Sequence, residues 1–156
     1  MIRHALALTL FATPALSQDG LQAATVTHCG DATRADTIAE PWEENTATYA
    51  DGQVRIALLD MVEPAGGALK LLVISPPRDE LGLRQCRVVG LDNGLGFYDM
   101  DFASRKASYD PSRGLTITLD ARHHPGDEDP LGDEGWFQLA VTINQQTGQI
   151  TTQGFR

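Results

Sequence analysis

Apolar and polar residues alternate in short segments from Thr46 to the end of the chain. Segments 54–58, 115–119 and 137–143 place Val, Ile, Leu or Phe at every second position, which is the period of a β-strand with one buried face. Clusters of Gly, Pro, Asn and Asp separate these segments, as expected for tight turns. The pattern shows no long amphipathic helix. It predicts a mainly β chain with about eight strands in a single antiparallel β-sandwich, which we favour, or a small barrel.

Two turn motifs indicate where neighbouring strands form hairpins. Asp51 and Gly52 lie between two apolar runs, and this dipeptide can adopt the positive φ angles that a type I′ turn requires. Segment 110–114, Asp-Pro-Ser-Arg-Gly, combines a proline that presets φ with a glycine that tolerates the left-handed conformation. It predicts a second hairpin between strands at 106–109 and 115–121.

The densest apolar run predicts a central strand. Residues 68–75 are apolar at most positions on both faces, as expected for a strand that is covered on each side. Pro76 and Pro77 follow, and they are predicted to end this strand because proline donates no hydrogen bond to the ladder. Segment 96–102 is predicted as a strand of its own, separate from 106–109.

The first residues of the chain resemble an export signal. Residues 1–17 combine the positive charge of Arg3, an apolar run at 5–12 and a small-residue motif that ends at Ser17, which predicts a signal peptide cleaved after Ser17. The apolar run is shorter than the roughly 20 residues that span a bilayer. A buried N-terminal helix is the alternative, but the charged start and the small residues favour export. The expected location is periplasmic or extracellular.

Cys29 and Cys86 are the two cysteines of the chain. Outside the cytoplasm an even pair of cysteines predicts a disulfide, which would stabilise the fold by about 4 kcal/mol for a loop of this length. No Cys-x-x-Cys or Cys-His spacing supports a catalytic thiol or a metal ligand. Residues 18–45 are predicted to form an irregular arm, with at most a short helix in 31–40. The disulfide would tether this arm to a β domain at 46–156.

Composition narrows the classes of function. The chain has 156 residues, with 12 Lys and Arg against 21 Asp and Glu, and a formal net charge of −9. This balance disfavours nucleic acid and anionic membrane surfaces as partners, and no apolar stretch after the leader is long enough for a membrane-embedded chain. The GxSxG, P-loop, GxGxxG and HExxH motifs are absent, which disfavours the enzyme classes that carry them. A non-enzymatic protein is expected.

The irregular segment 122–135 is the main candidate for binding chemistry. It brings together imidazole and carboxylate groups, which are ligands for divalent cations. The candidate ligands are His123, His124, Asp127, Asp129 and Asp133. Adjacent residues of a strand point to opposite faces, so the two histidines chelate together only if the backbone turns there. EF-hand spacing does not fit, and a solvated acidic loop that aids solubility is the alternative.

Two further features carry alternative interpretations. Asp99 and Asp101 share one face of a predicted strand, where they could hold a cation or act as an acid–base pair, or simply face solvent. Trp42 lies in an acidic segment before the first hairpin. It could pack against the end of the β domain or stack on a ligand such as a sugar.

The function predicted from these features is a secreted or periplasmic, non-enzymatic binding or accessory module. Its partner would be an envelope protein or a small ligand, held by loops or strand edges. The first alternative is a divalent-cation-binding protein that uses the acidic loop at 122–135, which makes a divalent cation the one cofactor the sequence suggests. The second alternative is a hydrolase with an unrecognised site. The pattern leaves the oligomeric state open.

Overall fold

Two antiparallel sheets form the fold in the computed structural model, which describes residues 23–30, 33–125 and 134–156. The strands are β1 (Ala24–His28), β2 (Thr46–Tyr49), β3 (Val54–Asp60), β4 (Leu69–Arg78), β5 (Arg84–Leu91), β6 (Asp99–Asp110), β7 (Gly114–Arg122), β8 (Trp136–Ile143) and β9 (Ile150–Phe155). One sheet has the order β1-β5-β4-β3-β2 and the other β6-β7-β8-β9. The predicted mainly β fold is confirmed as a sandwich-like pair of sheets rather than a closed barrel.

The main core lies between the inner faces of the two sheets. The alternating residues that were predicted to point inward are all buried, namely Val54, Ile56, Leu58, Leu115, Ile117, Leu119, Phe137, Leu139, Val141 and Ile143. Phe97, Met100 and Phe102 complete this core from β6 and the loop before it. Burial of each large apolar side chain contributes about 1.5–3 kcal/mol, so the interface between the sheets is the main source of stability.

A second, smaller apolar cluster lies on the outer face of the five-stranded sheet. Its buried members are Ala57, Leu59, Leu72 and Val88, and partly buried Cys29, Ile38, Met61, Ile74 and Cys86 pack against them. Ile38 forms an isolated bridge to Leu59, and the N–H of Ala39 donates to the carbonyl of Leu58 at 2.9 Å. The N-terminal segment therefore covers part of this outer face.

The predicted disulfide between Cys29 and Cys86 is confirmed, with a Cα–Cα distance of 5.4 Å. It joins the N-terminal segment to β5. The prediction that this segment is irregular throughout was wrong, because β1 pairs with β5 over its full length. The backbone N–H and C=O groups along the edge of β5 need hydrogen-bond partners, and the backbone of β1 supplies them. Between Ala35 and Thr37 the chain forms one short 3₁₀ segment, in line with the expected short helix.

The prediction that two prolines end β4 was also wrong. The strand continues through Pro76 and Pro77 to Arg78, which pairs with Arg84. The register shifts between Ser75 and Arg78, so the prolines lie in an irregular stretch where the ladder requires no N–H from them. The side chain of Gln85 donates to the carbonyl of Pro76 at 2.9 Å and so satisfies one backbone acceptor there.

A bulge joins two predicted strands into β6. The register shifts between Asp101 and Lys106, and the carboxylate of Asp101 accepts hydrogen bonds from the N–H groups of Ala103 (2.9 Å) and Ser104 (3.2 Å). The hydroxyl of Ser104 accepts from the N–H of Asp120 at 2.9 Å. Side chains thus replace the missing ladder bonds, and the strand continues across the bulge.

The hairpin turns match their predicted chemistry. Asp51 and Gly52 have φ angles of 52° and 78°, and the N–H of Gln53 donates to the carbonyl of Ala50 at 3.0 Å, as in a type I′ turn. Gly114, at the end of the second turn, has φ 105°. No helix in the described part of the chain is long and apolar enough to cross a bilayer.

Gly114→Ala is expected to lower the free energy of unfolding by about 2–4 kcal/mol, because a methyl group adds a backbone clash to the strain of positive φ. A Cβ atom at this position would overlap the carbonyl oxygen of Ile143. Gly82→Ala is the control, since Gly82 has φ +81° but nothing within 4 Å; it should lose only about 1 kcal/mol. Urea unfolding measures both, and equal losses would contradict the clash.

Candidate functional site

A row of side chains crosses the outer face of the four-stranded sheet. Asp101 on β6 is the register partner of Asp120 on β7, which is the partner of Gln138 on β8, which is the partner of Phe155 on β9. Because register partners point to the same face, these four side chains form one line across the sheet. The line runs from acidic residues at β6 and β7 to an aromatic residue at β9.

A groove of about 500 Å³ follows this row. It is lined by Asp101, Asp120, Trp136, Phe137, Gln138, Phe155 and Arg156. Phe155 is 43% exposed, so its ring is accessible to a ligand. The groove thus combines two carboxylates, an amide, the guanidinium group of Arg156 and aromatic rings, which are the kinds of group that orient a small ligand.

Trp136, one wall of this groove, is held in place by a buried arginine. Arg122 is only 6% exposed, and its guanidinium carbon lies 5.2 Å from the ring centre of Tyr98 and 5.9 Å from that of Trp136. Its Nε donates to the carbonyl of Glu134 at 2.8 Å. Guanidinium groups stack well on aromatic rings, so this wall is arranged before a ligand arrives. Sequence patterning carried no signal for this contact, because Arg122 occupies an outward position whose burial depends on tertiary contacts.

The two carboxylates of the groove have different surroundings. Asp101 accepts hydrogen bonds from backbone N–H groups of the bulge. Asp120 is half-buried, and no described residue donates a hydrogen bond to its carboxylate or forms an ion pair with it. Like charges directly opposite each other across strands are destabilising. The uncompensated charge of Asp120 therefore has no structural explanation within the described residues.

The predicted metal ligands His123 and His124 contact different aromatic rings. The ring of His123 stacks on Phe137, with centroids 4.5 Å apart and an interplanar angle of 11°. Both of its ring nitrogens are buried without a hydrogen-bond partner. His124 is exposed and meets Tyr98 edge to face at 5.1 Å. His123 therefore completes the end of the core, a role that its position beside an acidic loop did not indicate.

The other predicted ligands, Asp127, Asp129 and Asp133, lie outside the described residues. Among the residues that the structure describes, no three His, Cys, Asp or Glu side chains form a group that could hold a metal ion. The cation site in 122–135 stays a prediction.

The remaining sequence candidates lie partly in the groove. Asp101 lines it, whereas the carboxylate of Asp99 accepts a hydrogen bond from the N–H of Met100 at 2.7 Å. Trp42 is exposed and does not line this groove. The alternation of the sequence therefore identified Asp101 as a candidate. The other residues of the groove could be recognised only from the register of the whole sheet.

Comparisons with known proteins identify no relative of this chain. No protein-family model, no curated protein and no solved structure matches it. Its function is therefore inferred from the residues of the fold itself.

His123 should make stability depend on pH. Burial lowers the pKa of His123, and the positive charge of Arg156 lowers it further. As the pH falls through about 6.5, the unfolded chain binds a proton at this residue that the folded chain does not bind. Stability is therefore present above about pH 6.5 and is lost as the pH falls below it.

His123→Phe should keep the aromatic stacking and reduce this loss. The measurement is the free energy of unfolding in urea at about pH 8 and about pH 5.5, on either side of the ordinary histidine pKa. His28→Gln is the control, because His28 is exposed on β1, and it should retain the native difference between the two pH values. An unchanged difference in His123→Phe would refute the assignment to this ring.

Proposed function

We propose that this protein is an exported, non-enzymatic binding module that holds a cationic group of its ligand in the groove on the four-stranded sheet. The observation that carries the proposal is the half-buried, unpaired carboxylate of Asp120 directly opposite Asp101. A positively charged ligand group between these carboxylates would relieve their repulsion. The ligand is a small molecule, or a Lys or Arg side chain of a partner protein in the cell envelope.

The aromatic side of the groove supports a cationic organic ligand over a bare metal ion. Phe155 presents an exposed ring, and cations placed over aromatic rings gain about 0.5–2 kcal/mol, depending on desolvation. Trp136 gives a fixed apolar wall. A ligand with a charged head and an apolar or planar body would contact both kinds of group.

Backbone hydrogen bonds hold the carboxylate of Asp101 in a fixed position. Its Oδ1 accepts from the N–H groups of Ala103 at 2.9 Å and Ser104 at 3.2 Å. This carboxylate is therefore oriented towards the groove before a ligand arrives.

Export is supported by two independent features. Residues 1–17 have the composition of a cleaved signal peptide. The disulfide between Cys29 and Cys86 is typical of compartments outside the cytoplasm. We therefore propose a periplasmic or extracellular location.

The binding test uses N-acetyl-arginine amide and its neutral analogue N-acetyl-citrulline amide, which differ in the charge of the head group. Isothermal titration calorimetry should detect binding of the arginine compound and much weaker binding of the citrulline compound. Asp120→Asn should weaken arginine binding by about tenfold or more, because one of the two opposing carboxylates is lost. Glu80→Gln removes the same charge from the other sheet and should leave the affinity unchanged. Equal affinity for the two compounds would contradict the proposal.

The same variant is expected to be more stable than the native protein. Asp120→Asn removes the like-charge pair with Asp101, so its free energy of unfolding should rise by about 0.2–1 kcal/mol. Urea unfolding without ligand measures this change. A more stable variant with weaker binding would assign Asp120 to ligand recognition, whereas a less stable variant would assign it a structural role.

A further inference from the structure

Three arginines lie together on the outer face of the five-stranded sheet, on the opposite side of the sandwich from the groove. Arg78 on β4 and Arg84 on β5 are register partners. Arg55 on β3 pairs with Ile74 on β4, which pairs with Cys86 on β5. Residues two apart on a strand share a face, so Arg84 lies on the same face as Cys86 and the row that contains Arg55.

No acidic group among the described residues forms an ion pair with these three arginines. Within the described residues, the one salt bridge joins Arg34 and Asp36. The Nη1 of Arg78 donates to the carbonyl of Gly82 at 2.6 Å. The Nε of Arg84 is buried and has no hydrogen-bond partner. Arg78 thus uses one donor within its own turn, Arg84 has a donor without a partner, and neither guanidinium group forms an ion pair with a described residue.

The two acids in the turn between β4 and β5 form no ion pair with these arginines. In the turn between β4 and β5, the carboxylate of Asp79 accepts from the N–H groups of Leu81 at 2.9 Å and Leu83 at 2.8 Å. Glu80 is exposed and forms no ion pair with a described residue. Asp79 therefore stabilises the turn rather than the arginines.

The three positive charges repel one another in the protein without a bound anion. Burial lowers the pKa of Arg84, and the positive charges of Arg78 and Arg55 lower it further. Like charges directly opposite each other on neighbouring strands repel. The chain has a net charge of −9, so acidic residues to neutralise such a cluster are abundant in its sequence. Three arginines on one face that form no ion pair with any described residue thus favour an anion as the ligand of this face.

We propose that Arg55, Arg78 and Arg84 form a binding site for a phosphate group. A guanidinium group presents a planar fork of N–H donors that matches two oxygens of phosphate. Three such groups on neighbouring strands can approach one dianion from different directions. The site is independent of the groove on the other sheet, since the two share no residue.

The phosphate group has two possible carriers, a free phosphate ester or the headgroup of a lipid. Leu81 and Leu83, at the tip of the same β4–β5 hairpin, are 84% and 62% exposed. Exposed apolar side chains beside arginines suit a lipid surface, where the apolar groups enter the interface and the arginines meet phosphates. The chemistry that is recognised is the same in both cases, so the experiment has one arm for each carrier.

The first arm measures binding of inorganic phosphate by calorimetry and by the shift in melting temperature, against sodium chloride of equal ionic strength. The native protein should be stabilised by phosphate beyond the effect of chloride, since a ligand that binds the folded state alone raises the melting temperature. Arg84→Gln and Arg78→Gln should each weaken phosphate binding by about tenfold or more. Arg113→Gln, in the exposed β6–β7 turn, is the matched control and should bind as the native protein does.

Melting temperatures without phosphate separate binding from folding. Arg84→Gln removes a repelling charge, so it should melt at the native temperature or above it. An equal response of the native protein and Arg84→Gln to phosphate, or an equal response to chloride and phosphate, would overturn the proposal.

The second arm measures sedimentation with phosphatidylcholine vesicles that do or do not contain phosphatidylglycerol. Binding that needs phosphatidylglycerol, and is lost both in Arg84→Gln and in the Leu81→Ser, Leu83→Ser double variant, would assign the phosphate to a lipid. Phosphate binding without vesicle binding would assign it to a soluble ester. Vesicle binding that persists in Arg84→Gln would contradict the assignment of the arginines as the site.

Discussion

Packing of the two inner sheet faces is the constraint on which the rest of the structure depends. Side chains alternate along a strand, so burial of Leu119 and Leu139 between the sheets directs Asp120 and Gln138 to the outer face. A slip of one residue would bury the carboxylate and expose the leucines. Each buried leucine contributes about 1.5–3 kcal/mol, which exceeds the roughly 0.2–1 kcal/mol that an opposed pair of like charges costs. The packing energy of the core therefore outweighs the repulsion between Asp101 and Asp120 on the outer face.

The N-terminal segment covers part of the outer face of the five-stranded sheet. A few apolar residues on that face form a small cluster under the N-terminal segment, which is too short to build a core of its own. The disulfide between Cys29 and Cys86 closes a separation of 57 residues and stabilises such a loop by about 4 kcal/mol in the chain-entropy model. On the same face, Arg78 and Arg84 form no ion pair with a described residue.

Local charge on this protein differs from its net charge. The formal charge of −9 describes the whole chain, and from it anionic partners are disfavoured. The register of the sheets instead sorts charges by face, with Asp101 and Asp120 on one sheet and Arg78 and Arg84 on the other. Interactions between exposed charges are screened beyond about 8–10 Å at ordinary salt concentrations. The electrostatic potential at each face is therefore set mainly by the charges of that face.

The sequence by itself determined the features that depend on near neighbours in the chain. The period of two predicted which residues enter the core, and Asp51-Gly52 predicted its turn, since both follow from local backbone geometry. Tertiary structure alone decided the rest. Strand β1 forms because β5 has a free edge. Asp120 and Phe155 lie in one row, on either side of Gln138, because the register aligns residues that are distant in sequence. His123 lies against Phe137 rather than in the acidic loop, because its surroundings come from strands that are remote in sequence.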